Sequence, residues 1–349
     1  MKKLFSLFLA LILLLSLAAC GQTDASNHTI PATKETAPET TSAPGHYPVT
    51  VIDHAGRKVT IEKEPQRLVS CYYITSSLLI ALDLDEKMVA IEDNPDYRPI
   101  YGLSVPSLLE LPWVGTAKVL DVEACAALNP DLVILPLRLK DSAEILEGLG
   151  IDVLLVNPES QQLLMEMIHM VAAATDTENT AEALTTFLSE IESDLNQMLT
   201  GVAAPSVYLA GNSSLLSTAG DAMYQSDMIR LAGGSNVAAE ISDAYWAEID
   251  YEQLLVWNPE YIILASSAKY TPEDVLTDPN LANCTAVING NVYQIPEDAE
   301  SWDSPVPGSI LGALWLANIL HPEQITDGDC IEIMDDYYET FYNFSYSKK

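Results

Sequence analysis

The chain has 349 residues, with 50 acidic against 16 basic side chains and a formal net charge of −34. That balance excludes a nucleic-acid binder, which needs a basic stripe to displace counterions, and a 48% share of hydrophobic residues excludes global disorder. Five cysteines without C-x-x-C spacing leave no ligand set for a zinc ribbon or an iron–sulfur centre.

The chain opens MKKLFSLFLALILLLSLAAC. Two lysines lead into an apolar run of about 16 residues, short of the roughly 20 that span a bilayer, so residues 1–19 read as a secretion signal. The stretch Leu17-Ala18-Ala19-Cys20-Gly21 resembles a bacterial lipobox, which implies acylation of Cys20 after cleavage. Residues 20–46 follow as a lipidated cysteine and a disordered tether, dominated by Thr, Ala, Pro, Ser and Glu and without an aromatic residue. His28 and His46 fall inside it. The expected location is extracytoplasmic, on the outer face of a cell membrane and held there by acyl chains. A lipid and a tether suit a monoderm bacterium, whose surface proteins have no second membrane to retain them.

From Tyr47 the pattern becomes alternating strand and helix. Two segments match at a spacing of 129 residues: LDVEACAALNPDLVILP from Leu120 and IDYEQLLVWNPEYIILA from Ile249. A second echo pairs RLVSCYYITSSLLIAL, from Arg67, with PSVYLAGNSS…SDMIRLAGG, from Pro205. Short apolar runs between turn residues, each followed by a helix, predict βα units and mainly parallel sheets. The fold class is therefore α/β: two Rossmann-like lobes over 47–159 and 204–345, with a connecting segment over 160–203. In that segment Leu184, Phe187, Leu188, Ile191, Leu195 and Met198 share one helical face. Asp176 or Thr177 caps its start and Gly201 ends it, which makes one long interlobe helix.

Catalytic signatures are mostly missing. There is no G-x-S-x-G elbow, phosphate-cradling glycine loop or H-E-x-x-H. His54 sits in a turn, His169 on a helix and His321 at a helix end, so no three-histidine metal site is expected and no metal site or cofactor is assigned. A cleft is the better prospect, because ligands of open α/β sheets lie beyond the carboxyl ends of the strands. The loops there hold Tyr72, Tyr73 and Thr75; Pro136 and Arg138; Asn212 and Ser213; Ser266, Ser267 and Tyr270. Trp113, Tyr224, Trp246 and Trp302 lie in other loop-like segments, and aromatic faces with a few polar anchors suit a bulky, partly apolar ligand. Arg138, one of five arginines, either grips a ligand anion or pairs with Asp141 or Glu144. Glu123 and Glu252 hold equivalent places in the repeats. Each either stabilises a helix start or shows an acid to a partner.

Taken together, these residues resemble the substrate-binding lipoproteins of ABC importers for iron–siderophore complexes, haem and cobalamin. The resemblance runs from about Tyr47 to Tyr342. It is carried by VTVIDHAGRKVTIEKEPQRLVS, VEACAALNPDLVIL, IRLAGGSNVAAE, IDYEQLLVWNPEYIIL and SWDSPVPGSILGALWLANILHP. It implies two Rossmann-like lobes on one long helix, a permease dimer with its ATPase subunits as partner, and Glu123 and Glu252 as the acids that meet arginines of the permease. It also implies a binding protein rather than an enzyme. The expected cargo is a small metal chelate. Ferric catecholates would call for several arginines, so a ferric hydroxamate-type siderophore is preferred, with a corrinoid next. The competing readings are a membrane-anchored surface sensor or adhesin, and a surface hydrolase or chelate reductase using the same cleft. Cys71, Cys125, Cys284 and Cys330 are expected as free thiols, with a Cys284–Cys330 bridge as the alternative.

Overall fold

The computed structural model describes residues 45–242 and 246–349. Cys20, the signal expected over 1–19 and all but the last two residues of the tether expected over 20–46 lie outside the described residues. Among the described residues no helix is long and apolar enough to cross a membrane.

The first lobe opens on a hairpin, β1 (Val49–Ile52) and β2 (Lys58–Ile61). Its sheet contains β3 (Leu68–Ser70), β4 (Met88–Ala90), β7 (Leu132–Pro136) and β8 (Asp152–Val156), all parallel in the order β4-β3-β7-β8. Between β4 and β7 a small hairpin, β5 (Gly115–Thr116) and β6 (Val119–Leu120), stands apart from the sheet. The helices are α1 (Tyr73–Ala81), α2 (Pro99–Ser104), α3 (Val122–Ala127) and α4 (Lys140–Gly148).

The second lobe is mixed. Strands β9 (Ser206–Ala210), β13 (Tyr261–Leu264) and β14 (Val292–Gln294) run parallel, and β11 (Ser235–Asn236) joins β9 in the same sense. Strands β10 (Ser217–Ala219) and β12 (Trp246–Glu248) extend that sheet antiparallel. Helices α7 (Tyr224–Leu231), α8 (Tyr251–Trp257), α9 (Pro272–Leu276), α10 (Thr285–Asn289), α11 (Ile310–Leu320) and α12 (Asp327–Phe341) complete it.

Strand alternation explains how the layers assemble. Leu132 and Ile134 of β7, Leu154 and Val156 of β8, Val207 and Leu209 of β9, and Ile263 of β13 all enter one core that runs under both lobes. Their neighbours Val133, Leu135, Val153 and Leu155 form a separate outer core beneath α3 and α4. Tyr208, Ala210, Ile262 and Leu264 do the same beneath α8 and its neighbours. Strands buried on both faces read as unbroken apolar runs.

The connecting segment is two helices, α5 (Gln161–Thr175) and α6 (Glu178–Met198). At 1.5 Å per residue, the 21 residues of α6 span about 32 Å. The helix packs on α5 at one side and on α7 and α11 at the other, so it bridges the lobes as expected. Leu184, Leu188, Ile191 and Leu195 are buried, Phe187 packs on Phe341, and Met198 turns outward at the end. Thr177 holds the N-cap position without a side-chain cap bond, while Asp176 closes α5 in the left-handed region.

One expectation needs correction. His46 belongs to the folded body and not to the tether, because its Nε2 meets the Ala173 carbonyl at 2.7 Å. The lobes also touch away from α6, since the segment after α12 folds back and the Tyr342 hydroxyl meets Ser77 Oγ on α1 at 2.8 Å. All four cysteines of the body are free and buried, so Cys284 and Cys330 form no bridge.

Candidate functional site

The two repeats superpose in role. Asp121 accepts from Ala124 N at 2.9 Å to cap α3, and Asp250 accepts from Gln253 N at 2.8 Å to cap α8. Each helix leaves through an asparagine in the left-handed region, Asn129 at φ 47° and Asn258 at φ 45°. Each then feeds a strand, β7 or β13. Short Asx caps and Asn-Pro exits are why the sequence echo is so clean. Glu123 and Glu252 occupy the same position in the first turn, and both are solvent-exposed.

Parallel strands of both sheets direct their carboxyl ends toward the gap between lobes. A narrow crevice there is lined from the first lobe by Tyr73, Ser77, Tyr97 and Arg98, and from the second by Glu297 and Glu300. Its cavity volume is about 10 Å³, room for about one water. Three polar ties close it. The Tyr73 hydroxyl donates to Ser304 Oγ at 2.8 Å, Ser77 Oγ donates to Glu300 Oε1 at 2.5 Å, and Ser77 also meets Tyr342. The Arg98 guanidinium lies 3.9 Å from the centroid of the Tyr73 ring.

Burial dominates the electrostatics of this region. Glu300 is enclosed, and desolvation pushes its carboxyl up to about 7 against the hydrogen bonds from Ser77 and Tyr338. Glu92, held by Ser76 at 2.6 Å and by Tyr101, is raised by burial as well. Burial also raises Asp303, which accepts from Ser266 Oγ at 2.7 Å and Ser266 N at 3.1 Å. Glu159 is raised by burial despite the opposing charge of Arg138. That charge also acts on Tyr72, so Arg138, Glu159 and Tyr72 share one wall at the ends of β3, β7 and β8.

The sequence-predicted ligand residues divide. Tyr72, Tyr73 and Arg138 sit together on the first lobe. Arg138 is exposed and makes no ion pair among the described residues, so it pairs with neither Asp141 nor Glu144. Asn212 is exposed after β9. Trp246 is 41% exposed, and a Cβ on Gly211 would lie 2.9 Å from its ring, which places the indole over the end of β9. Ser266 is buried and occupied with Asp303.

Three expectations, Thr75, Tyr224 and Trp302, fail for physical reasons. Thr75 is fully buried, its hydroxyl bonded to Ser70 Oγ at 2.6 Å and to the Tyr72 carbonyl. Tyr224 is 1% exposed in the shared core. Trp302 is equally enclosed and donates from Nε1 to the Tyr338 hydroxyl at 2.9 Å. Trp113 is half exposed but pairs with Ile91 at the sheet edge and lines a hollow with Asp93 and Asp121, beside the start of α3. The residues missed were Tyr97, Arg98, Glu159, Glu297, Glu300 and Asp303. Arg98 was findable by taking the loop after β4, but MVA is too short a run to announce a strand.

A family profile described as "Periplasmic binding protein" matches residues 68–299. The chain is similar to the molybdate-binding protein MolA of Haemophilus influenzae, at 25% identity over 323 residues, 85% of this chain and 91% of that one. It is 26% identical to YvrC of Bacillus subtilis, described as an uncharacterized ABC transporter substrate-binding lipoprotein, over 79% of this chain and 87% of that one. Among solved structures, a periplasmic solute-binding protein of Veillonella parvula aligns at a TM-score of 0.74 and 25% identity, covering 85% of this chain and 93% of that one.

Proposed function

Since the chain belongs to the periplasmic binding protein family, and so is a solute-binding protein of the kind that serves ABC importers, we propose that it captures a metal chelate between its lobes and passes it to a permease dimer driven by ATPase subunits. The observation that carries this reading is the convergence of both sheets' carboxyl ends on one interlobe crevice. Tyr72, Tyr73, Arg98 and Arg138 contribute from the first lobe, with Asn212 and Trp246 from the second. Aromatic faces with two arginines suit a near-neutral chelate, a ferric hydroxamate-type siderophore first and a corrinoid next. Glu123 and Glu252, exposed at equivalent helix starts, are the proposed contacts to permease arginines. Cys20 is proposed as the lipid attachment that keeps the protein on the outer face of a monoderm membrane.

A second reading, a small oxyanion, draws on the name of the Haemophilus relative and on the two cleft arginines. It is disfavoured because the crevice lining supplies one arginine, Arg98, beside the carboxyl groups of Glu297 and Glu300. The test is a tryptophan-fluorescence titration with ferric hydroxamates, cobalamin, haem, a ferric catecholate and molybdate. Saturable quenching by a hydroxamate or by cobalamin, with the rest inert, is expected. Saturation by molybdate alone would overturn the cargo, and inertness toward all five would favour a surface sensor or adhesin.

A further inference from the structure

Where the chain enters the folded body, His46 lies against the junction of α5 and α6. Its Nδ1 is 3.4 Å from Asp176 Oδ1 and 3.5 Å from Glu178 Oε1. The three donor atoms all lie within 4.8 Å of one another. Nε2 of the same ring meets the Ala173 carbonyl at 2.7 Å, and a carbonyl only accepts, so Nε2 carries a proton. In the neutral ring that leaves Nδ1 as a bare lone pair facing two carboxylates, three acceptors turned toward one point. A positive occupant suits that point, either a proton on Nδ1 or a metal cation.

The geometry discriminates between them. Donors around a tetrahedral metal bound at about 2.0–2.1 Å stand about 3.3–3.4 Å apart. Two of the three edges already have close to this length, which exceeds the usual reach of a charge-assisted N–H···O bond, about 2.7–2.9 Å. The backbone carbonyl on Nε2 is the outer contact that metal-bound histidines regularly make, fixing tautomer and ring direction. The site straddles the carboxyl end of α5 and the amino end of α6, whose macrodipoles oppose one another, so the two carboxylates set the local charge. The neighbouring Tyr47 hydroxyl donates to the Ala174 carbonyl at 3.1 Å and ties the same stretch of chain to the end of α5. The site is open to solvent, with the three side chains 21%, 52% and 51% exposed, so water can complete the coordination.

We propose that His46, Asp176 and Glu178 bind a divalent transition-metal cation of the zinc type, clasping the entry of the chain to the α5–α6 corner. One imidazole and two carboxylates suit zinc, cobalt or nickel better than calcium or magnesium, which favour all-oxygen shells. The site shares no residue with the interlobe crevice and stands whether or not the cargo reading holds.

Cobalt(II) is the probe, because a tetrahedral site gives it intense visible absorption. Titrated into the full chain in mild detergent at pH 8, cobalt should produce these bands to saturation at one equivalent, and zinc should bleach them. His46→Gln and Asp176→Asn should each weaken binding at least about 100-fold; asparagine tolerates the left-handed backbone of position 176, so the helix junction survives. Far-UV circular dichroism and melting without metal verify that both variants fold. Arg138→Ala, in the cleft, should leave the bands unchanged. Absence of a saturable one-equivalent signal in the wild type would overturn the site in favour of a protonated histidine. Bands that persist in His46→Gln, or vanish in Arg138→Ala, would overturn it by placing the metal elsewhere.

Discussion

Glu300 has a measurable signature. Its folded carboxyl titrates near 7, above the ordinary 4.5, so the folded state holds the proton more tightly than the unfolded chain. The contribution is therefore fully favourable below about pH 4.5 and is lost as pH rises through about 7, by up to roughly 3 kcal/mol. Glu300→Gln should shrink the fall in urea stability between pH 5 and pH 8 without abolishing it, because Glu92 and Asp303 are raised by burial too. An unchanged pH slope would show that Glu300 is solvated in solution. If Glu123 and Glu252 meet the permease as proposed, Glu123→Ala together with Glu252→Ala should abolish uptake in cells yet leave cargo affinity intact in a titration; lost affinity would refute the docking role. Residue-level legibility was uneven for a simple reason. Glu123 and Glu252 were readable because their helix starts repeat in sequence. Trp302 and Tyr224 looked like ligand residues because polar neighbours surround them, and nothing local says that Tyr338 takes the Trp302 N–H or that α6, α7 and α11 pack together over the shared core.

Among the elements, caps carry more information than propensity. Asp250→Ala should cost about 1 kcal/mol in urea unfolding through loss of the α8 N-cap. It should also reduce uptake, since the same turn presents Glu252, while cargo affinity stays constant. A core substitution in the bridging helix should be harsher: Leu188→Ala removes a fully buried side chain and should cost about 2–5 kcal/mol. A melting shift too small for that range would mean α6 is not held by the shared core. The long strands were legible as unbroken apolar runs between turn residues, and α6 because a period of 3.6 runs over enough residues to be seen. The antiparallel strands β10 and β12 were not, because STA and WAE are three residues each and gain strand character only from the neighbours they pair with. Helix α5 was legible as the helix that carries His169, but its bounds were not, since its end, the left-handed Asp176, looked like a cap for α6.

Across the folded body, polar ties bridge the two lobes beside a narrow crevice. Ligand pockets measure about 300–1,000 Å³, whereas this crevice holds about 10 Å³, so a chelate fits in it only after the lobes part there. The ties from Tyr73 to Ser304 and from Ser77 to Glu300 resist that opening. Removing two hydrogen bonds worth about 1 kcal/mol each enlarges the competent fraction. The double variant Ser77→Ala, Ser304→Ala should therefore bind cargo roughly 10–30-fold more tightly, with a larger radius of gyration by small-angle scattering when free of cargo. Weaker or equal binding would place those hydroxyls on the cargo itself. The division into two lobes was legible from the repeat, but their union was not, since it depends on residues up to 265 positions apart, such as Ser77 and Tyr342. That union also governs what the protein can be cut into. An internal repeat invites the idea of two interchangeable halves, each with its own sheet and helices. Yet the largest apolar cluster takes side chains from both sheets, from the bridging helices and from α11 and α12, while each half keeps only a thin outer layer to itself. Either half produced alone would present a broad greasy face to water, so the pair can be swapped, shuffled or split only as a complementing couple expressed together.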